Sequence, residues 1–97
     1  MSITVGTQQV KVTCIRVKTY NASGYESITH IGGAGWIWDK ERAIRELESP
    51  TPSYSFHTLV NGKRAEVGVF ERDGQKYLRT YADGYWNNNL EALPLCG

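Results

Sequence analysis

Hydrophobic positions in this chain alternate over most of its length and adopt a helical spacing in one stretch. From Gln9 to Lys18 the pattern is that of a strand, with Val10, Val12 and Cys14 on one face and Ile15 and Val17 on the other. The change of phase near Cys14 predicts either a bulge or a strand covered on both sides. Residues 1–8 read as a loose lead-in. Asn21-Ala22-Ser23-Gly24 is a turn signal, and a second strand is expected over about 26–31, which makes the first two strands a hairpin. Three glycines follow, Gly32, Gly33 and Gly35, and then Trp36 and Trp38 lead into the one helical pattern.

Asp39 is placed to cap that helix by accepting from backbone N–H groups two or three residues on. Ala43, Ile44 and Leu47 form its apolar stripe, and Glu41 and Arg45 stand in the favourable i, i+4 order. Pro50 and Pro52 cannot continue it. A helix of about ten residues is marginal alone and must dock on a sheet. The remainder reads as a meander. Tyr54, Phe56, Thr58 and Val60 share a face, Asn61-Gly62 turns the chain, and Ala65, Val67 and Val69 line the next strand. Asp73-Gly74 turns it again into a last strand over 75–82. The tail over 84–97 is expected to be irregular, pinned by Leu90 and Leu93. The resulting expectation is an α+β fold in the order ββαβββ, an antiparallel sheet with one short helix packed on one face.

Composition narrows the function classes. The 97 residues make a single domain with a small core, to which 3 Trp, 6 Tyr and 2 Phe contribute heavily. A net charge of +1, with acidic and basic residues interleaved, argues against broad nucleic-acid or membrane-surface binding. No run approaches the roughly 18 apolar residues of a membrane span, and the N-terminus lacks the pattern of a signal peptide. Cys14 reads most simply as a small buried hydrophobe, although two cysteines leave a disulfide open. The expectation is a cytoplasmic, reduced protein.

Six pieces of the chain carry a resemblance: CIRVK (14–18), ITHIGGAGW (28–36), RAEV (64–67), YLRTYADG (77–84), NNL (88–90) and LPLC (93–96). Together they resemble a family of small bacterial and phage domains of unknown function. The resemblance implies a compact stand-alone domain and brings no mechanism with it.

Candidate chemistry centres on the glycine run. Gly32, Gly33 and Gly35 lie between a strand and a helix, where phosphate-binding loops sit, since backbone N–H groups and a helix N-terminus attract anions. No Lys-Ser or Lys-Thr follows, and the spacing is not a dinucleotide fingerprint, so the plainer reading is a tight turn that lets Trp36 fold over the helix and sheet. Trp36 and Trp38 share a side of an extended chain. Tyr85 and Trp86 form an aromatic pair that suits stacking on a base or a partner. Arg79 lies between Tyr77 and Tyr81, where it can grip a phosphate or form a cross-strand ion pair with Glu66 or Glu71. Asp83 and the run Asn87, Asn88 and Asn89 suit turn formation.

His30 and His57 would be acid–base groups or metal ligands if they shared a cleft with Asp83, but no catalytic motif surrounds either, and Cys14 as a nucleophile would have to be exposed beside a base. No catalytic residue, metal site or cofactor is expected. The leading expectation is a non-catalytic binding module that sequesters or senses a nucleotide-like anion. Its site would combine His30, Gly32, Gly33, Gly35, Trp36, Arg79, Tyr81, Asp83, Tyr85 and Trp86, and the chain would pair with a copy of itself. The alternatives are a protein-interaction or assembly subunit without a small ligand, and a small hydrolase using His30 or His57.

Overall fold

A computed structural model of the chain describes residues 7–19 and 24–96. Residues 1–6 of the expected lead-in and Asn21, Ala22 and Ser23 of the expected turn lie outside them. The described residues form eight strands, one α-helix and one turn of 3₁₀-helix. In chain order these are β1 (Gln8–Lys11), β2 (Cys14–Val17), the 3₁₀ turn Tyr25–Ser27, β3 (Ile28–Gly33), β4 (Trp36–Asp39), α1 (Lys40–Glu48), β5 (Tyr54–Val60), β6 (Lys63–Arg72), β7 (Gln75–Ala82) and β8 (Tyr85–Asn87).

The strands make two sheets, one of five in the order β1-β5-β6-β7-β8 and one of three in the order β2-β3-β4. The expected ββαβββ fold with an antiparallel sheet is therefore corrected: the chain is mostly β, and β1 joins the larger sheet parallel to β5. The first run of the sequence is two strands in two sheets. The change of apolar phase at Val12–Cys14 marks the point where the chain leaves one sheet for the other. There the Val12 N–H donates to the His57 carbonyl at 2.8 Å, and the Thr13 N–H to the Gly32 carbonyl at 2.9 Å. Val12 and Ile15 thus both face the interior, although they lie three positions apart.

The two sheets and α1 enclose a single core. Val12, Ile15, Ile28, Ile31, Ala43, Ile44, Phe56, Val67, Leu78 and Leu90 fill it. Each fully buried large apolar side chain among them stabilises the fold by about 1.5–3 kcal/mol. Three turns have a left-handed residue followed by a left-handed glycine, at Asn61-Gly62, Asp73-Gly74 and Asp83-Gly84. This is the conformation that matches the twist of a two-residue hairpin.

Helix α1 begins where expected, with Asp39 Oδ1 accepting from the Arg42 N–H at 2.7 Å. Beyond its C-terminal end, the Glu46 carboxylate accepts from the Ser53 and Tyr54 N–H groups. That ties the helix to the start of β5 and orders the proline-containing connection. The tail is only partly irregular. Its first residues form β8, and Leu95 makes a parallel bridge to Ile15 of β2. Cys96 is bonded to Cys14, so the residue read as a buried hydrophobe is half of a disulfide closing 82 positions of sequence.

Candidate functional site

The glycines are not a loop between strand and helix. Gly32 and Gly33 are the last two residues of β3, and β4 intervenes before α1. Gly32 pairs with Cys14 on one side and Ile37 on the other. A methyl group on Gly32 would stand 3.0 Å from Cys96 Sγ and 3.1 Å from Cys14 Sγ, so this glycine makes room for the disulfide. One on Gly33 would stand 2.5 Å from Trp36 Nε1 and 2.9 Å from the Lys11 carbonyl, so that glycine makes room for the indole. Gly35 has φ +79° and open space around it, as the hairpin turn from β3 to β4 requires. The expected close approach is present at Gly32 and Gly33, and what approaches is the chain itself.

Trp36 and Trp38 do share a side. Their rings meet edge-to-face at 6.4 Å, and both pack on Phe56, at 5.7 and 5.4 Å between centroids. Tyr54 extends the cluster, with its ring edge-to-face on Trp38 at 5.6 Å. The Arg42 guanidinium lies 3.9 Å from the centre of the Trp38 ring. These four aromatic residues line a cleft of about 530 Å³, completed by β1 and Ala34. The cleft runs between β1, an edge strand of the larger sheet, and β4, an edge strand of the smaller one. Lys11 and Gln8 stand on its rim. It is of the size and lining that suit a small ligand with a flat apolar part.

Arg79, Tyr81 and Trp86 come together elsewhere, around β7 and β8. Opposite Arg79 stands Gly68, and the Tyr81 ring covers the space where a side chain of Gly68 would be. Trp86 packs edge-to-face on Tyr81 at 5.5 Å and on Phe70 at 5.2 Å. The Arg79 guanidinium lies 4.5 Å from the Tyr25 ring centre, 4.9 Å from Phe70 and 5.8 Å from Trp86. Glu66 pairs with Arg64 at 2.7 Å, not with Arg79. Arg79 is therefore held by rings, and its Nε is buried without a partner among the described residues. Burial raises the pKa of the nearby Glu91 carboxyl above its ordinary value, against the attraction of Arg79.

The other expected site residues do not join either group. Asp83 is the left-handed first residue of the β7–β8 turn, and Tyr85 beyond it is exposed. His30 sits on β3, paired with Arg16 and Asp39 on its neighbours, and its Nδ1 shares a hydrogen bond of 2.9 Å with Thr29 Oγ1. His57 sits on β5 of the other sheet beside Lys11 and Glu66. Its pKa is lowered by burial, then by Arg64. Among the described residues, no group of three His, Cys, Asp or Glu side chains could hold a metal ion.

Of the ten expected site residues, only Trp36 lines the aromatic cleft. The sequence reading missed Trp38, Tyr54, Phe56 and Gln8 as members. For the three aromatic residues the only advance signal was aromatic density on what proved to be β4 and β5, and Gln8 on β1 had none.

The matching family model, "Protein of unknown function (DUF3892)", spans residues 11–94. The chain belongs to this family. Every residue of the Trp36–Phe56 aromatic cluster falls within the part matching DUF3892, whereas Gln8 at the cleft rim falls outside it. An uncharacterised protein of Bacillus subtilis, YwsA, is 40% identical over 55 residues, covering 57% of this chain. The match spans about half of that relative, 53% of its length. No solved structure matches the chain. No helix among the described residues is long and apolar enough to cross a membrane.

Proposed function

We propose that this domain is a non-catalytic binding module for a nucleotide-like anion, and that the ligand enters the cleft between β1 and β4. The observation that carries the reading is the aromatic lining of that cleft by Trp36, Trp38, Tyr54 and Phe56. Flat π-faces stack on a heteroaromatic ring without regard to its identity. The Gln8 amide supplies both a donor and an acceptor for a base edge. Lys11 at the rim and Arg42 over Trp38 supply positive charge for a phosphate.

The test is quenching of tryptophan emission by mononucleotides and by the matching nucleosides. Saturable quenching by nucleotides, weaker for nucleosides and weakened in Lys11→Gln, is the expected result. If Lys11→Gln binds nucleotides as the parent does, the anion contact at Lys11 is wrong. If neither class quenches, the cleft is not a nucleotide site. The alternative of a protein-interaction subunit draws on Tyr81, Tyr85 and Trp86, which are 41%, 77% and 41% exposed around the β7–β8 turn. A nucleotide bound at one per chain with micromolar affinity would set that alternative aside.

A further inference from the structure

The half-buried cysteines of the Cys14–Cys96 bond border two surface hollows. One hollow, of about 520 Å³, is lined by both cysteines together with Arg16, Gly35 and Ile37. A second, of about 240 Å³, is lined by Cys96, Leu95, Arg16 and Lys18. Arg16 borders both and lies two positions from Cys14 on β2, so positive charge is available to a cysteine leaving as thiolate. Nearby positive charge stabilises thiolates and favours thiol–disulfide exchange.

What the bond holds is limited. The tail is anchored upstream by Leu90, which is fully buried and whose N–H donates to the Thr80 hydroxyl at 3.3 Å. Among the described residues past Leu93, the backbone hydrogen bonds to β2 are two. The Ile15 N–H donates to the Pro94 carbonyl at 3.0 Å, and the Cys96 N–H donates to the Ile15 carbonyl at 2.8 Å. Leu95 between them is 47% exposed and contributes little burial. These contacts cap the outer edge of β2, an edge strand of the three-stranded sheet.

We propose that Cys14–Cys96 is a site of reversible reduction by dithiols, and that its reduction uncaps the β2 edge while the rest of the fold persists. A thiolate of the dithiol attacks one of the two sulfurs, the S–S bond breaks, and the other cysteine departs as a thiolate. The second thiol of the reductant then displaces the first cysteine. The protein gains two electrons and, once both thiolates take up protons, two thiols. The reductant leaves as its own disulfide. The strand edge so exposed carries an unpaired N–H and C=O at Ile15, the groups that recruit an added strand.

The experiment is residue-resolved amide hydrogen exchange at low temperature. It compares the oxidised protein, the protein treated with dithiothreitol, and the double variant Cys14→Ser, Cys96→Ser. The expected result is loss of protection at Ile15 and Cys96 by roughly tenfold or more, with Ile31 and Leu78 as protected as before. The amide at position 15 of the double variant should match the reduced protein and be indifferent to dithiothreitol. Protection at Ile15 that survives reduction would overturn the proposal, since the tail would then hold without the bond. Collapse of protection at Ile31 and Leu78 together with Ile15 would also overturn it, making the bond a staple of the whole fold. So would a bond that dithiothreitol does not reduce under native conditions.

Discussion

Gly33→Ala separates a glycine kept for a ligand from a glycine kept for packing. Gly33 is not among the left-handed glycines, so alanine suits its backbone. Without a clash, the substitution would stabilise the fold by about 0.4–1 kcal/mol through the unfolded chain. But the added methyl group would lie 2.5 Å from Trp36 Nε1 and 2.9 Å from Cε2, against 3.4 Å for ordinary contact. The indole would have to withdraw, and it is backed by Trp38 and Phe56. The Lys11 carbonyl at 2.9 Å is backbone and gives less readily. Overpacking of this kind costs about 1–3 kcal/mol, which outweighs the gain. For a domain of this size, a net loss of about 1–2 kcal/mol lowers the thermal midpoint by roughly 5–15 °C. The assay is thermal unfolding followed by circular dichroism, with tryptophan emission recorded in the native state. The expected outcome is a lower midpoint together with altered emission, because Trp36 moves. Gly35→Ala is the control. It meets no atom, and its cost of about 1 kcal/mol comes from φ +79° alone, so emission should not change. A Gly33→Ala protein with an equal or higher midpoint would refute the packing account and return the glycine run to the ligand.

Trp86→Ala should destabilise the domain by about 2 kcal/mol, since its ring packs on Phe70 and Tyr81, while leaving nucleotide quenching of the cleft tryptophans intact. Urea unfolding and the quenching titration check the two halves. Asp39→Ala should cost about 1 kcal/mol by removing the cap on α1, and Asp39→Ser should restore most of it, both read from urea midpoints. His57 has a folded-state pKa below its ordinary 6.5, so the unfolded chain binds its proton first. Its contribution is full above about pH 6.5 and is lost as the pH falls through the lowered folded value, and His57→Gln should flatten that part of the stability profile. Glu91 behaves oppositely. Its folded value is raised above 4.5, so its contribution is full below about pH 4.5 and is lost as the pH rises through the folded value. Glu91→Gln should therefore stabilise the protein at neutral pH, as measured by its urea midpoint.

The parts of this fold that could be read in the sequence are those whose cause is local. The Asp39 cap, the stripe of Ala43, Ile44 and Leu47, and the turns at Asn61-Gly62 and Asp73-Gly74 are each decided within a few residues. The strands missed depend on distant partners. β4 is four residues running directly into α1, so Trp36-Ile37-Trp38-Asp39 offers only two alternations before the period changes. β8 is three residues and exists because β7 lies beside it. The split of the first run into β1 and β2 did leave a mark, the phase change at Cys14, but a bulge leaves the same mark. Only the presence of two sheets decides between them.

The site shows the same limit more sharply. Gly32, Gly33 and Gly35 beside two tryptophans say that something comes close to the backbone there, and this is so. They do not say what comes close, because an indole, a disulfide and a phosphate all require the same missing side chain. Here the sulfurs of Cys14 and Cys96 occupy the space over Gly32, and Trp36 the space over Gly33. The glycines therefore act on any ligand indirectly. By letting the Trp36 indole lie over it, Gly33 sets one wall of the cleft that Trp38, Tyr54 and Phe56 complete. A substitution at Gly33 should then alter binding through the position of Trp36, and one at Arg79, Tyr81 or Trp86 should not.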